Sequence, residues 1–507
     1  MTATLLLVPL DARPCTKRFP ADLAAIANTR LLTPPNPLLG DLHRSADPDA
    51  LLHWLDSHAP QADALVLALD TLAYGGLVPS RRHSLPLDAL KARLEPLRTL
   101  KRAHPRLALY GFSVTMRLSN SNDATEEKPY WRDFGKLLYR HSFHLDRFEQ
   151  LADPQDRDIA RAAQDAIPPA ILQDYLDSRA RNFTINRMLI DWTADGLFDL
   201  LALTQDDTSP FGFNVREQRQ LAADVAARRL QDRILIYPGA DEVAAVLVAR
   251  HLNRAHGRHP AFHLQTSTPD GGQVVAMYED RPLARTASGQ VTAVGGRLTS
   301  DPQDADCLLM LNTPAAGQGD LALRLGLERP DTPPRDLTGF VRALEAAVSA
   351  QRPAALADVA YANGADPALF AAFRDVLPLA AFAAWNTAGN TLGTVVAQAS
   401  AFLIGRDLTD AAERQASQAA QEQFLLDRMA DDLLYQTVLR PELQGELAAG
   451  RSIEAIAPTI GPRLEALWRE YFPDVAIAGI TASLPWQRLF EADVRVRRPA
   501  REGARGS

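Results

Sequence analysis

Two adjacent carboxylates, Asp206 and Asp207, follow an apolar run and precede Thr208-Ser209-Pro210. Neighbouring carboxylates repel, so one stays ionised while the other is pushed toward a raised pKa. That split yields an electrostatic or base partner and a general acid from two like residues. The same pair, with Asp241 and Glu242 as a second one, also offers hard oxygen ligands to a divalent cation. The plain alternative is that an acid after a strand caps the next helix. It suits Asp241, Asp358 and Asn386, but one cap needs only one carboxylate. Asp206 and Asp207 are therefore read as the catalytic pair.

Polar residues recur after other apolar runs, at Asp11 and Arg13, at Asp70, Tyr74, Gly75, Gly76 and Arg81, at Gln205, and at Asp358, Trp385, Asn386 and Asn390. With Asp241 and Glu242 they form the expected substrate-binding set. Gly75-Gly76 permits close backbone approach to a polar ligand. Arg13 and Arg81 suit anion or carboxylate contacts, or structural salt bridges. Tyr74 and Trp385 offer faces for sugar stacking, although most such rings pack in cores. No Gly-Lys-Ser/Thr follows the Gly-Gly turn, and there is no dinucleotide fingerprint. A Gly-x-Ser-x-Gly elbow and a His-Glu-x-x-His helix are also missing. His141 and His144, at i and i+3, read as exposed helix residues rather than ligands.

These residues need elements to bring them together. Apolar runs at Thr4–Pro9, Ala64–Leu69, Leu107–Ser113, Phe198–Thr204, Ile234–Tyr237, Ala261–Gln265, Cys307–Leu311, Ala355–Ala360 and Leu379–Ala384 alternate with helical periodicity. That rhythm predicts an α/β fold with a parallel sheet, whose strand C-terminal ends gather the polar residues on one face. Asp11, Asp70, Asp206 and Asn386 are expected to share that face. The strand count points to a (β/α)8-like barrel; an open doubly wound parallel sheet is the alternative. Residues 1–396 form the α/β catalytic-type domain, with a β insertion of hairpins at about 265–297. A helical C-terminal region spans 397–493, and the arginine-rich tail 494–507 reads as disordered. No internal repeat is visible.

The 507 residues carry 54 Lys+Arg against 62 Asp+Glu, a net charge of −8 without a basic stripe, which argues against nucleic acid as partner. Two cysteines, Cys15 and Cys307, make neither a disulfide framework nor a cysteine zinc site. Pro9, Asp11 and Arg13 cut the first apolar run short, so it reads as a strand rather than a signal peptide. A cytoplasmic protein without membrane association is the expectation; oligomeric state is open.

Several strings resemble a bacterial domain-of-unknown-function family, number 4127 (DUF4127). They are Leu-Val-Pro-Leu-Asp-x-Arg-Pro, Leu-Ala-Tyr-Gly-Gly-Leu-Val-Pro-Ser-Arg, Leu-Thr-Gln-Asp-Asp-Thr-Ser-Pro-Phe-Gly, Tyr-Pro-Gly-Ala-Asp-Glu, the run Tyr278–Leu283, and the segment from Trp385 to Gly393. The segment Arg117–Trp131, with Glu126 and Glu127, is similar to the family's Glu-rich loop. The resemblance spans nearly the whole chain and implies one protein type; it implies no activity.

The residues point to a hydrolase acting on a carbohydrate. On a barrel, the Asp pair is similar in position to that of substrate-assisted hexosaminidases, with Asp206 polarising and Asp207 as general acid. No cofactor is then expected. A Mg²⁺- or Mn²⁺-dependent hydrolase of an amide or phosphate ester is the first alternative, and a non-catalytic carbohydrate or metabolite binder the second.

Overall fold

The computed structural model describes residues 3–499. All nine apolar runs become strands, and the chain divides into two compact units. The first comprises the chain through Ala12, Thr29–Leu247 and Tyr278–Arg281; the second comprises Arg13–Asn28, Val248–Met277 and the chain from Pro282. This division differs from the expected boundary near residue 396.

In the first unit, six strands form one parallel sheet: β1 (Thr4–Val8), β2 (Arg30–Leu32), β3 (Ala64–Ala68), β4 (Ala108–Thr115), β5 (Leu200–Gln205) and β6 (Ile234–Pro238). Their order is β2-β1-β3-β4-β5-β6. β3 and β5 are buried along their whole length, as strands covered on both faces must be. Leu65, Leu67, Leu109, Leu201 and Leu203 pack with Leu51, Leu90, Leu94, Ile185 and Leu189 from the covering helices. Between β4 and β5 the chain inserts three helices, Trp131–Leu151, Pro154–Asp165 and Pro169–Ala194. Asp153 starts the middle one, its carboxylate accepting from the Gln155 amide at 3.0 Å ahead of Pro154.

The second unit holds a five-stranded parallel sheet of β7 (Ala261–Thr266), β8 (Arg297–Leu298), β9 (Cys307–Asn312), β11 (Ala354–Asp358) and β13 (Ala381–Ala383). The order is β13-β11-β9-β7-β8. Two short strands, β10 (Gly319–Asp320) and β12 (Tyr361–Ala362), pair apart from it. Both sheets are open, with edges at β2 and β6 and at β13 and β8. The barrel is thus replaced by the doubly wound alternative, built twice. The nine core strands are shared between two sheets, too few in either to close.

The expected hairpins at 265–297 reduce to one isolated antiparallel bridge between Val275 and Pro282. β7 ends at Thr266, and Leu283–Ala293 is a helix burying Leu283, Ala287, Gln290 and Val291. Helical spacing of these residues outweighs the β-branched content that suggested strands. The region after residue 397 is largely helical, as expected. Its Leu425, Met429, Leu434 and Leu464 share one core with Met310, Leu356 and Phe382 of the sheet. It ends in an antiparallel hairpin of β14 (Gly479–Ser483) and β15 (Asp493–Arg497). The supposed disordered tail therefore contributes a strand. Val494 and Val496 turn inward while arginines alternate with them, a period of two obscured by the charge. Residues 500–507 of that tail lie outside the described residues.

Candidate functional site

The register of the first sheet assembles a cluster at strand C-terminal ends. Thr115 of β4 faces Gln205 of β5, so Arg117 and the Asp206-Asp207 turn emerge side by side. β3 is shorter. Its Ala68 pairs with Phe112, and the helix Leu69–Tyr74 begins at once. Asp70 in that first turn accepts the Val114 amide at 2.9 Å, continuing the link between the two strands. Gly75 then ends the helix at φ 92°, and its carbonyl accepts the Ala46 amide at 2.8 Å. A Cβ there would lie 2.8 Å from that of Ser45, so packing itself requires glycine. The following helix, Leu77–Arg82, delivers Arg81.

Arg81 and Arg117 bind four carboxylates between them. Arg81 Nη1 lies 2.9 Å from Glu126 and 3.6 Å from Glu127, and its Nη2 holds Asp206. Arg117 donates to Glu127 at 2.9 Å through Nε and to Asp207 at 2.9 Å through Nη1, and its Nη2 lies 3.0 Å from Glu126. Arg82 braces the Glu loop from outside, donating to the carbonyls of Glu127, Ala124 and Thr125. The Arg81 side chain is 1% exposed and that of Asp206 15%, whereas the Asp207 side chain keeps 32% of its surface open. The two aspartates are thus held by different arginines, and Asp207 is the more accessible.

Their electrostatics differ as well. Although a third of its side-chain surface is open, the protein atoms crowded around the Asp207 carboxyl desolvate it and push it up to about 7; the Asp206 charge adds to the rise, and Arg117 and Arg81 oppose it. Asp207 also adopts φ 33°, a left-handed backbone that a non-glycine residue occupies at a cost. Burial would lower the pKa of Arg117, but Glu126, Glu127, Asp207 and Asp206 outweigh it and hold the guanidinium charged. Asp70, nearly fully buried, is pushed up to about 7 by desolvation against its hydrogen bond from Val114.

The remaining candidates make contacts of their own, and His141 is buried rather than exposed. Tyr74 is buried and stacks on His83 with centroids 4.8 Å apart. Gln205 ends β5, and its amide donates to the Asn214 carbonyl at 3.4 Å. Glu242 folds back under Gly239, accepting the Ala240 amide at 3.0 Å, and Asp241 beside it is buried. Asp11 belongs to the first unit, just past β1, whose end is tied to the β3 helix by Thr71 Oγ1 donating to Pro9 and Leu10 carbonyls.

Arg13, Asp358, Trp385, Asn386 and Asn390 belong to the second unit. Arg13 lies over the Trp486 ring at 4.4 Å. Asp358, pushed up to about 7 by burial and by Asp366, accepts from Asn312 at 2.9 Å and from the Asp366 amide at 2.6 Å. Trp385 donates through its indole to Thr394 at 3.2 Å, and Asn386, at φ 54°, accepts the Asn363 amide at 2.8 Å. Asn390 sits in the first turn of helix Ala388–Arg406, which Thr387 caps.

Glu126, Glu127 and Arg117 complete the cluster beyond the residues that the sequence pattern singles out. Sequence proximity gives no signal for their partners, since Lys128 and Arg132 lie nearer to Glu126 and Glu127 than Arg117 and Arg81 do. Among the described residues, no group of three or more His, Cys, Asp or Glu side chains is arranged to hold a metal ion. No helix among them is long and apolar enough to cross a membrane.

No curated protein matches the chain in sequence. A family model does, over residues 5–495, and it spans both sheets and the whole Arg–carboxylate cluster. The chain therefore belongs to the family described as protein of unknown function, DUF4127.

Proposed function

We propose that the protein is a hydrolase acting on a carbohydrate, with Asp207 as general acid and Asp206 as the electrostatic partner that steadies developing positive charge. The supporting observation is the asymmetry of the pair. Asp206 is locked to Arg81, whereas Asp207 is one-third open, left-handed in backbone and raised to about 7. An acid with such a pKa is protonated for part of the time near neutrality and can give its proton to a leaving oxygen. Glu126 and Arg117, which keep part of their surface open, present an acceptor and a donor in fixed directions, which suits recognition of neighbouring hydroxyls. The positional likeness to hexosaminidases depended on a barrel and lapses with it; the chemistry of the paired acids does not.

The test is hydrolysis of a panel of nitrophenyl glycosides by the purified protein, with Asp207→Asn as control. At least one glycoside should be cleaved, and the variant should lose ~10²-fold or more, the scale of general acid catalysis. The ion-paired state of all four carboxylates also favours a second reading, a non-catalytic sugar binder. Calorimetric binding of a sugar without turnover by any panel member would put that reading first.

A further inference from the structure

The run Tyr278–Arg281 belongs to the first unit, while the chain on both sides of it belongs to the second. It reaches the Asp206-Asp207 turn from two sides. On one, the Thr208 amide donates to the Tyr278 carbonyl at 3.0 Å. On the other, Asp280 is tied to Arg281 at 2.6 and 3.1 Å and meets Gln218. With its amide oriented to pair donors with acceptors, Gln218 donates to Asp280 Oδ2 at 3.2 Å and accepts from Arg281 Nη2 at 3.2 Å. The same amide lies 3.1 and 3.3 Å from that of Gln205, the residue before Asp206. Gln218 is buried, as is most of Asp280. Asp207 and Tyr278 both hold left-handed φ, 33° and 67°, on either side of the Thr208 contact. Such backbone persists only where its surroundings over-determine it.

We infer that Tyr278–Arg281 is a strap that positions the Asp206-Asp207 turn, through the Tyr278 carbonyl on Thr208 and through Asp280, which holds Gln218 packed against Gln205. Asp280 is a positioning residue and touches no substrate. The inference rests on the proposed role of Asp207, yet it concerns the geometry of the turn and is measurable without turnover. The groups facing Asp207 are Asp206, Arg117, Arg81 and Glu126. Loosening the strap lets the turn relax into water and weakens the desolvation that raises Asp207.

The experiment follows the Asp207 carboxyl by carbon NMR of aspartate-labelled full-length protein, with the resonance assigned by its absence in Asp207→Asn. In the wild type it should titrate at about 7. In Asp280→Ala and in Gln218→Leu the midpoint should fall by about one unit or more, as solvent returns to the carboxylate. Asp280→Asn, which keeps an acceptor for Gln218, should fall less. If Asp280→Ala fails to fold, Gln218→Leu and Asp280→Asn carry the test. Lower thermal stability with an unmoved Asp207 midpoint would make the strap merely structural and overturn the inference. A wild type that cleaves no glycoside, together with shifted midpoints in the variants, would sink the hydrolase reading and leave the strap standing. If hydrolysis is found, the variants should lose kcat with little change in KM.

Discussion

Asp207 and Asp206 differ in what their loss should do. With Asp207→Asn, substrates carrying a good leaving group should retain more rate than natural glycosides, because their departure needs less protonation. With Asp206→Asn, both should suffer alike, since stabilisation of positive charge is needed by each. Equal losses for both substrate types in Asp207→Asn would remove it as the acid. Asp70 makes a separate prediction. Its folded value of about 7 lies above the ~3.9 of an unfolded Asp. Within that window the folded protein keeps a proton that the unfolded chain has released, so stability falls as pH rises. Asp70→Asn cannot titrate and keeps an oxygen for the Val114 amide. Thermal melts should show its stability relative to wild type growing from pH ~4 to about 7 and then levelling. A difference independent of pH would contradict the raised value. At this scale the Asp pair was legible in the sequence because adjacent acids at a strand end have no cheap structural use. Glu126 and Glu127 were not, because the polar loop that carries them has no period and only the fold brings them to Arg81 and Arg117.

The elements that hold the site depend on close approach around β4. Gly111 sits where a Cβ would lie 2.8 Å from Phe198 Cε1 and 3.1 Å from Leu69 Cδ1, both fully or nearly fully buried. Gly111→Ala should therefore destabilise the protein by ~1–3 kcal/mol, the usual cost of overpacking. In a Phe198→Leu background the same substitution should cost less, because the smaller side chain yields the space. Urea unfolding of the four proteins of this cycle would show it; additive losses would mean that the strain lies elsewhere. Strands such as β3 and β9 were legible as continuous apolar runs because both of their faces are covered. β2 and β8 were not, being short edge strands of three and two residues with little buried surface. The helix Leu283–Ala293 is hidden in the sequence because its Thr and Val content favours strands, and only the spacing of its buried residues marks the helix.

Over the whole molecule, the strand orders repeat. Numbered within its own sheet, the second sheet runs 5-4-3-1-2, which read from its other edge is the order of the first sheet without its sixth strand. The sequence shows no repeat because this topology is set by where crossovers turn, not by residue identity. Nor does it show that the chain is threaded between units, so that Pro14–Ile26, directly after β1, packs in the second unit. Phe19 of that helix is 3% exposed and meets Trp385 and Phe424 edge-on at 5.7 and 5.6 Å. The Arg428 guanidinium lies 3.9 Å from its ring centre, itself paired with Asp431 at 3.0 Å and Asp432 at 2.7 Å. Removing the ring leaves a cavity beside a buried cation, so Phe19→Ala should cost ~3–5 kcal/mol. Position in sequence would assign that loss to the first sheet; packing assigns it to the second unit. Hydrogen exchange should find protection reduced in helices Ala388–Arg406 and Ala411–Arg428 while amides of β3, β4 and β5 stay as in the wild type. If β3 to β5 lose protection first, the helix belongs energetically to the first unit, and the threading drawn from packing is wrong.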